Sequence, residues 1–211
     1  KDDHDDHKDD HRVASGHHDH AHHAHGVDPH IWLDPVNAQL LVTRVAAELS
    51  RAELEIIDIA GMLGAITEIY ATQEDDISVI VDVQGKPPFR VTAMEDRLVQ
   101  VFRNLIQNAI SFSPISGCVQ LSLSRTSDFV QIDVLDEGPG LPEGKLAAVF
   151  DRFYSERPEG EKFGMHSGLG LSISKQIIEA HGGEIHAENR YAADGTLRGA
   201  RFVILLPITQ D

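Results

Sequence analysis

The 211-residue sequence predicts an α+β fold, a two-layer sandwich of a mixed, largely antiparallel sheet with helices on one face. Three observations lead there. Apolar residues alternate through "CVQLSLSRTSDFVQIDVL" at Val119, Leu121 and Leu123, then at Val130, Ile132 and Val134, which reads as a hairpin with one buried face. The stretch "AMEDRLVQVFRNLIQNAISF" repeats at helical spacing instead, with Leu98, Val101 or Phe102, Leu105 and Ala109 on one stripe. A further helix and two more strands close the chain, so the helices have a single sheet to cover.

Taken in order, residues 1–26 are almost entirely Asp, His, Lys, Ala and Gly, too polar to fold alone. "DPVNAQLLVTRVAAELS" then reads as a helix, with Asp34 as N-cap, Pro35 at the first helical position and Leu40, Leu41, Val45 and Leu49 on one side. "IDIAGMLGAITEIYATQ" is a second amphipathic helix, and "ISVIVDV" a strand ended by the turn "QGKPP". The long helix and the hairpin follow. The glycine-rich stretch from Gly138 to Gly170 contains one short helix, "KLAAVFDRF". The helix "LSISKQIIEAHGG" stops at Gly182 and Gly183, and the strands "EIHAEN" and "ARFVILLP" finish the chain. Three segments result: a His/Asp-rich disordered segment over 1–30, a helix and junction over 31–55, and the mixed domain over 56–211.

Bulk composition narrows the function. The formal net charge is −16, of which the first thirty residues, with eight acids and three bases, supply −5. An acidic surface argues against nucleic acid, whose phosphates need a basic footprint, and against an anionic membrane surface. One cysteine, Cys118, allows neither a disulfide framework nor a cysteine-built zinc site, and a reducing compartment fits. No apolar run approaches the roughly 18 residues of a membrane span, and "KDDHDDHKDD" is the opposite of a signal peptide. The sequence is expected to be soluble, or a piece cut from something larger.

Three separated motifs carry chemistry. In "RNLIQNAISFS", Asn104 and Asn108 are four apart and project from one helix face, with Arg97, Gln100 and Gln107 continuing that polar side. Side-chain amides can offer neutral oxygens to Mg²⁺, although on its own the pair reads more readily as a solvated helix face. In "VLDEGPGLPEG", Asp136 ends a strand just ahead of Gly138 and Gly140. A carboxylate there can accept hydrogen bonds from an exocyclic amine such as that of adenine, where guanine would present an oxygen. The glycines would let backbone approach a flat ring closely, and an ordinary turn is the competing reading. In "HSGLGLSISKQ", Gly168 and Gly170 precede a helix, whose free N–H groups and dipole favour phosphate.

In this order and spacing the motifs resemble the ATP-binding catalytic domain of bacterial sensor histidine kinases, in the wider group that includes DNA gyrase, the Hsp90 chaperone and MutL. "RNLIQNAISFS" looks like the family's N box, "DEGPGLP" its first glycine box, "FDRFYSERP" its F box and "SGLGLSISK" its second glycine box, while "GARFVILLP" is similar to its closing strand. The resemblance covers about residues 56–207. The run from "FDRFYSERP" to "EAHGG" is most similar to the alphaproteobacterial ChvG/ExoS type. It implies that Asp136 reads the adenine amine with the help of Gly140, and that Asn108 coordinates Mg²⁺ bridging the phosphates with Asn104 beside it. It also implies that Phe150 and Phe153 anchor an ATP lid over about 151–167, and that Gly168, Leu169 and Gly170 cradle phosphate. The hydrolysing relatives carry glutamate at the position of Asn104. An amide cannot take a proton from water, so ATP should be held for transfer rather than hydrolysed quickly. Two positions depart from the family: Ser111 stands where a lysine is common, and His166 where a glycine is.

The phosphate acceptor implied by the family is a histidine on a two-helix dimerisation domain, and through it a response regulator. Outside the N-terminal tract only His166, His181 and His186 remain, with structural or incidental roles expected for the last two. The sequence is therefore expected to bind ATP and not to phosphorylate itself. The resemblance places this domain in the cytoplasm, within a parent kinase at the inner membrane.

Ten of the thirteen histidines lie in the first thirty residues. His17, His18, His20, His22, His23 and His25 sit at spacings that suit Zn²⁺, Ni²⁺ or Cu²⁺, as several weak sites that fade below about pH 6. "GVDPHIWLDPVNAQL" resembles a second family, the periplasmic zinc-binding proteins of ABC transporters, in which His30 matches a zinc ligand. That resemblance stops near Ser50. One segment is periplasmic by family and the other needs cytosolic ATP, which favours a chimera. Two rival readings follow: a metal-binding segment on a passive scaffold, and a hydrolysing relative, against which Asn104 and the short lid speak.

Overall fold

The computed structural model describes residues 54–71, 77–154 and 168–209. The His/Asp-rich segment with His17, His18, His20, His22, His23, His25 and His30, the helix expected over 34–50, and most of the expected lid with His166 lie outside the described residues.

The elements are β1 (Glu55–Asp58), α1 (Ile59–Ala71), β2 (Ser78–Val83), β3 (Arg90–Ala93), α2 (Glu95–Phe112), β4 (Cys118–Arg125), β5 (Phe129–Leu135), a single 3₁₀ turn (Ala148–Phe150), α3 (Gly170–Ala180), β6 (Glu184–Tyr191) and β7 (Leu197–Pro207). Five strands form one sheet in the order β2-β4-β5-β7-β6. The β2–β4 pair is parallel and the other three pairs are antiparallel. β1 and β3 make a separate antiparallel pair, tied to the end of β7 by a bridge between Val91 and Ile208.

The alternation read in the sequence is the alternation of burial. Val119, Leu121, Leu123, Val130, Ile132 and Val134 are fully buried, together with Phe202, Ile204 and Leu206 from β7. They share one core with Leu98, Val101, Phe102, Leu105, Ile106 and Ala109 of α2 and with Ile177 and Ile178 of α3. Each of these side chains larger than alanine stabilises the fold by roughly 1.5–3 kcal/mol relative to exposure. Between them in β4 and β5 stand the polar Gln120, Ser122, Gln131 and Asp133, whereas in β7 Val203 and Leu205 alternate with the core residues. Arg201 bridges Asp133 at 2.9 Å and Glu188 at 3.3 Å, beside an open groove of about 380 Å³.

Two features differ from the expectation. The helix expected from Ile57 starts at Ile59, because Ile56 and Ile57 pair with Thr92 and Val91 in the β1–β3 ladder. The short helix expected in "KLAAVFDRF" shrinks to Ala148–Phe150, with Val149 and Phe150 turned into the core and Phe153 at φ +62°. A helix cannot continue through that left-handed residue. The one parallel pair makes the sheet mixed and largely antiparallel, as expected, and is reached through the long β3–α2 excursion between β2 and β4.

α3 ends as the glycines suggest. Gly182 takes φ +72°, and the N–H of Gly183 returns to the Ile178 carbonyl at 3.0 Å. His181 then ties two helix ends together. Its Nδ1 lies 2.7 Å from the Ile177 carbonyl, and its Nε2 accepts the Met94 N–H ahead of α2 at 3.1 Å.

Candidate functional site

The three motifs meet along α2. Near its middle, Asn104 Nδ2 donates to the Gly170 carbonyl at 3.3 Å and approaches Ser174 Oγ at 3.5 Å, which fixes the start of α3 against it. At its far end, a Cβ on Gly138 would sit 2.8 Å from the Phe112 carbonyl, so only glycine lets the Asp136–Leu141 loop pass this close. The two contacts are about 12 Å apart along the helix axis, given its rise per residue. Asn108 lies between them, half-buried, and its side chain makes no hydrogen bond to another described residue.

Asp136 follows β5 directly and is only 3% exposed. Its Oδ1 accepts N–H groups from Gly138 and Ala200, each at 2.9 Å, and its Oδ2 accepts none from the described residues. Burial pushes the carboxyl above its ordinary value, against the opposing pull of the Ala200 and Gly138 N–H groups and the Arg190 charge. Gly199 faces the Asp136 carbonyl so closely, at φ +135°, that any side chain there would collide with it. Gly140 adopts φ +75°.

α3 begins without a side-chain cap, since Leu169 has none to offer, and none of the described residues accepts the N–H groups of its first turn. Gly168, at φ +66°, packs under Phe153 and Tyr154: a Cβ would lie 3.0 Å from the Tyr154 carbonyl. Phe150 is buried edge-on against Phe202 at 6.2 Å, with Lys175 Nζ 5.7 Å from its ring centre. Phe153 is 40% exposed. Ser111, at the departure from the family, turns its hydroxyl back onto the Asn108 carbonyl at 2.8 Å.

The fold therefore brings Asn104, Asn108, Asp136, Gly138, Gly140, Phe150, Phe153, Gly168, Leu169 and Gly170 around one side of α2 and the neighbouring loops. Sequence reasoning missed Asn189, Arg190, Gly199 and Ala200, which act on the Asp136 loop from β6 and β7. Gly199, just ahead of an apolar strand, was the one readable signal among them. No group of three or more potential metal ligands of the His, Cys, Asp and Glu type occurs among the described residues, and none of their helices is long and apolar enough to cross a membrane.

This chemistry combines a buried acceptor at a strand end, a glycine loop beside it, an uncapped helix start and a half-buried amide. Together these groups could receive a nucleotide against a helix-covered sheet. A family model described as histidine kinase-, DNA gyrase B- and HSP90-like ATPase matches residues 93–210, more than half of the chain. The chain belongs to this family. It is 42% identical over 173 residues to the sensor protein ChvG of Rhizobium meliloti (strain 1021), covering 78% of this chain and 30% of that protein. It is 39% identical over 176 residues to ChvG of Agrobacterium fabrum, covering 80% and 30%. The chain thus spans about 30% of the length of these curated relatives. Among solved structures it resembles the mycobacterial sensor histidine kinase MprB, with a TM-score of 0.61, 28% identity, 73% of this chain and 97% of that one. It also resembles full-length ShkA in complex with AMPPNP, with a TM-score of 0.62, 27% identity, 83% of this chain and 37% of that one.

Proposed function

We propose that this chain is the ATP-binding catalytic part of a two-component sensor histidine kinase, holding Mg·ATP for phosphoryl transfer to a histidine on a dimerisation domain. The observation that carries the reading is Asp136, almost wholly buried yet with one carboxylate oxygen bonded to nothing described. Burying a carboxylate is costly unless its hydrogen-bonding capacity is used, and an adenine amine is a donor of the right kind. Gly138 and Gly140 let the loop pass close against Phe112 and Asn189, which fixes the backbone beside that carboxylate.

The remaining residues take roles that suit their surroundings. Gly168, Leu169 and Gly170 offer the uncapped N–H groups of α3 to phosphate oxygens. Asn108, half-buried and uncommitted among the described residues, suits a hard cation that keeps several waters, so it would hold Mg²⁺ with the phosphates. The cation would supply charge neutralisation on those phosphates. Asn104 sits beside it, held by Gly170, and its amide cannot act as a base toward water. Phe150, locked against Phe202, and Phe153 at the surface anchor the start of the lid. A response regulator is the downstream partner, and the cytoplasm, where ATP is found, is the compartment.

A calorimetric titration of Mg·ATP into the EDTA-washed chain tests the proposal. The expected result is saturable binding whose Mg²⁺ dependence disappears in Asn108→Ala. Absence of binding by the unaltered chain would sink it.

A further inference from the structure

β6 ends in "AENRY", which in sequence reads as an ordinary polar strand end. In the fold, Asn189 closes a two-bond clamp on Leu141. Its Oδ1 accepts the Leu141 N–H at 2.7 Å, and its Nδ2 donates to the Leu141 carbonyl at 2.8 Å. No backbone–backbone hydrogen bond among the described residues uses either group of Leu141. The same Oδ1 would lie 2.8 Å from a Cβ on Gly140, so Asn189 occupies the space that the glycine leaves. Its neighbour Arg190 donates from Nη1 to the Asp136 carbonyl at 2.6 Å. β6 thus grips the Asp136–Leu141 segment at both ends, just before the irregularity in the β6–β7 ladder between Arg190 and Tyr191. Such bulges re-aim side chains beside functional sites.

We propose that Asn189 is a positioning residue that fixes the Asp136–Leu141 loop through its clamp on Leu141 and so sets the chain's purine affinity and selectivity. The proposal rests on the ATP reading above. The loop carries Pro139 and a left-handed Gly140, is followed by Pro142, and has no ladder to hold it. A side chain that supplies both a donor and an acceptor to one residue replaces that ladder. Without it, the nucleotide itself must order the loop, and the cost appears as lost affinity.

The test compares the full chain with Asn189→Ala and Asn189→Asp, titrated with Mg·ATP and with Mg·GTP at neutral pH and at about pH 5. Removing two neutral hydrogen bonds should weaken ATP binding by about tenfold in Asn189→Ala at both pH values and narrow the preference for ATP over GTP. Asn189→Asp is nearly isosteric, and it keeps the acceptor while turning the donor into a second acceptor aimed at the Leu141 carbonyl. Its deficit should be larger than that of Asn189→Ala at neutral pH. On acidification it should shrink, because a protonated carboxyl can donate again. Each variant is compared with the unaltered chain at the same pH, which cancels the titration of Asp136. Should Asn189→Ala fail to fold, the pH dependence of the Asn189→Asp deficit carries the test. Variants that bind both nucleotides as the unaltered chain does, or an Asn189→Asp deficit that is the same at both pH values, overturn the proposal alone. Failure of the unaltered chain to bind ATP shows before any variant is made, and it overturns the ATP reading together with this one.

Discussion

The two ends of the proposed site are built differently. At the end assigned to the base, every polar group of the Asp136 backbone and one of its carboxylate oxygens has a partner. Its N–H goes to Ala200, its carbonyl takes Arg190, and Oδ1 takes two N–H groups. At the end assigned to the phosphates, Asn104 is held by two long bonds, of 3.3 and 3.5 Å, and the Asn108 side chain by none among the described residues. The difference matches what each end has to recognise. A purine is rigid and is told apart by the placing of one donor or acceptor, so its partner must be fixed in advance. A hydrated cation and a charged phosphate chain tolerate small displacements and are held by charge and by water. Selectivity is therefore expected to fail abruptly when the base end is disturbed, and affinity gradually when the phosphate end is.

Several changes would break or sharpen this contrast, beginning with the harshest. Gly199→Ala would put a methyl group into the Asp136 backbone at a left-handed position, and it should cost about 3 kcal/mol in denaturant unfolding. A loss within the noise of the measurement would mean that the base end is less tightly built than described. Asp136→Asn should fold at least as well, because a buried charge is removed. It should nevertheless weaken ATP binding by on the order of a hundredfold, since an amide that accepts the Gly138 and Ala200 N–H groups presents its NH₂ to the adenine amine. Unchanged ATP affinity in calorimetry would remove Asp136 from the base assignment.

Acidity separates stability from binding. The folded-state carboxyl of Asp136 titrates above its ordinary value of 3.8, so the folded chain takes up a proton more readily than the unfolded one. This group's contribution to stability therefore falls as pH rises through the window between 3.8 and the raised value, and the destabilisation is complete above it. ATP affinity should move the opposite way in that window and weaken as pH falls, since the acceptor must be ionised to be fully effective. Parallel binding and melting curves check both signs. The smallest effect is expected from Asn104→Ala, a few-fold in ATP affinity with about 1 kcal/mol in stability, because it cuts only two long bonds between α2 and α3.

What could be read from the sequence follows from how local each signal is. α2, the β4–β5 hairpin and the two closing strands were legible because their burial repeats along a single element, and Asp136 because glycines on its own loop announce a close approach. β1 and β3 were not, since four residues are too few to show a period and their partner lies more than thirty positions away. "KLAAVFDRF" looked helical because its apolar residues cluster, yet only Val149 and Phe150 find the core. Asn189 and Arg190 were invisible for a stronger reason. What they touch is set by the register of β6 on β7 and of β7 on β5, and nothing in "ENRY" encodes that register. His181, by contrast, was expected to be structural or incidental because "EAHGG" marks a helix end, and its ring bonds to two backbone groups there.

The central claim is that a buried aspartate at the end of β5 reads adenine. The most direct test is a pair of calorimetric titrations of the unaltered chain, one with Mg·ATP and one with Mg·GTP. Guanine places an acceptor where adenine has a donor, so ATP should bind at least about tenfold more tightly. Equal affinity for the two nucleotides, or a preference for GTP, would contradict the claim.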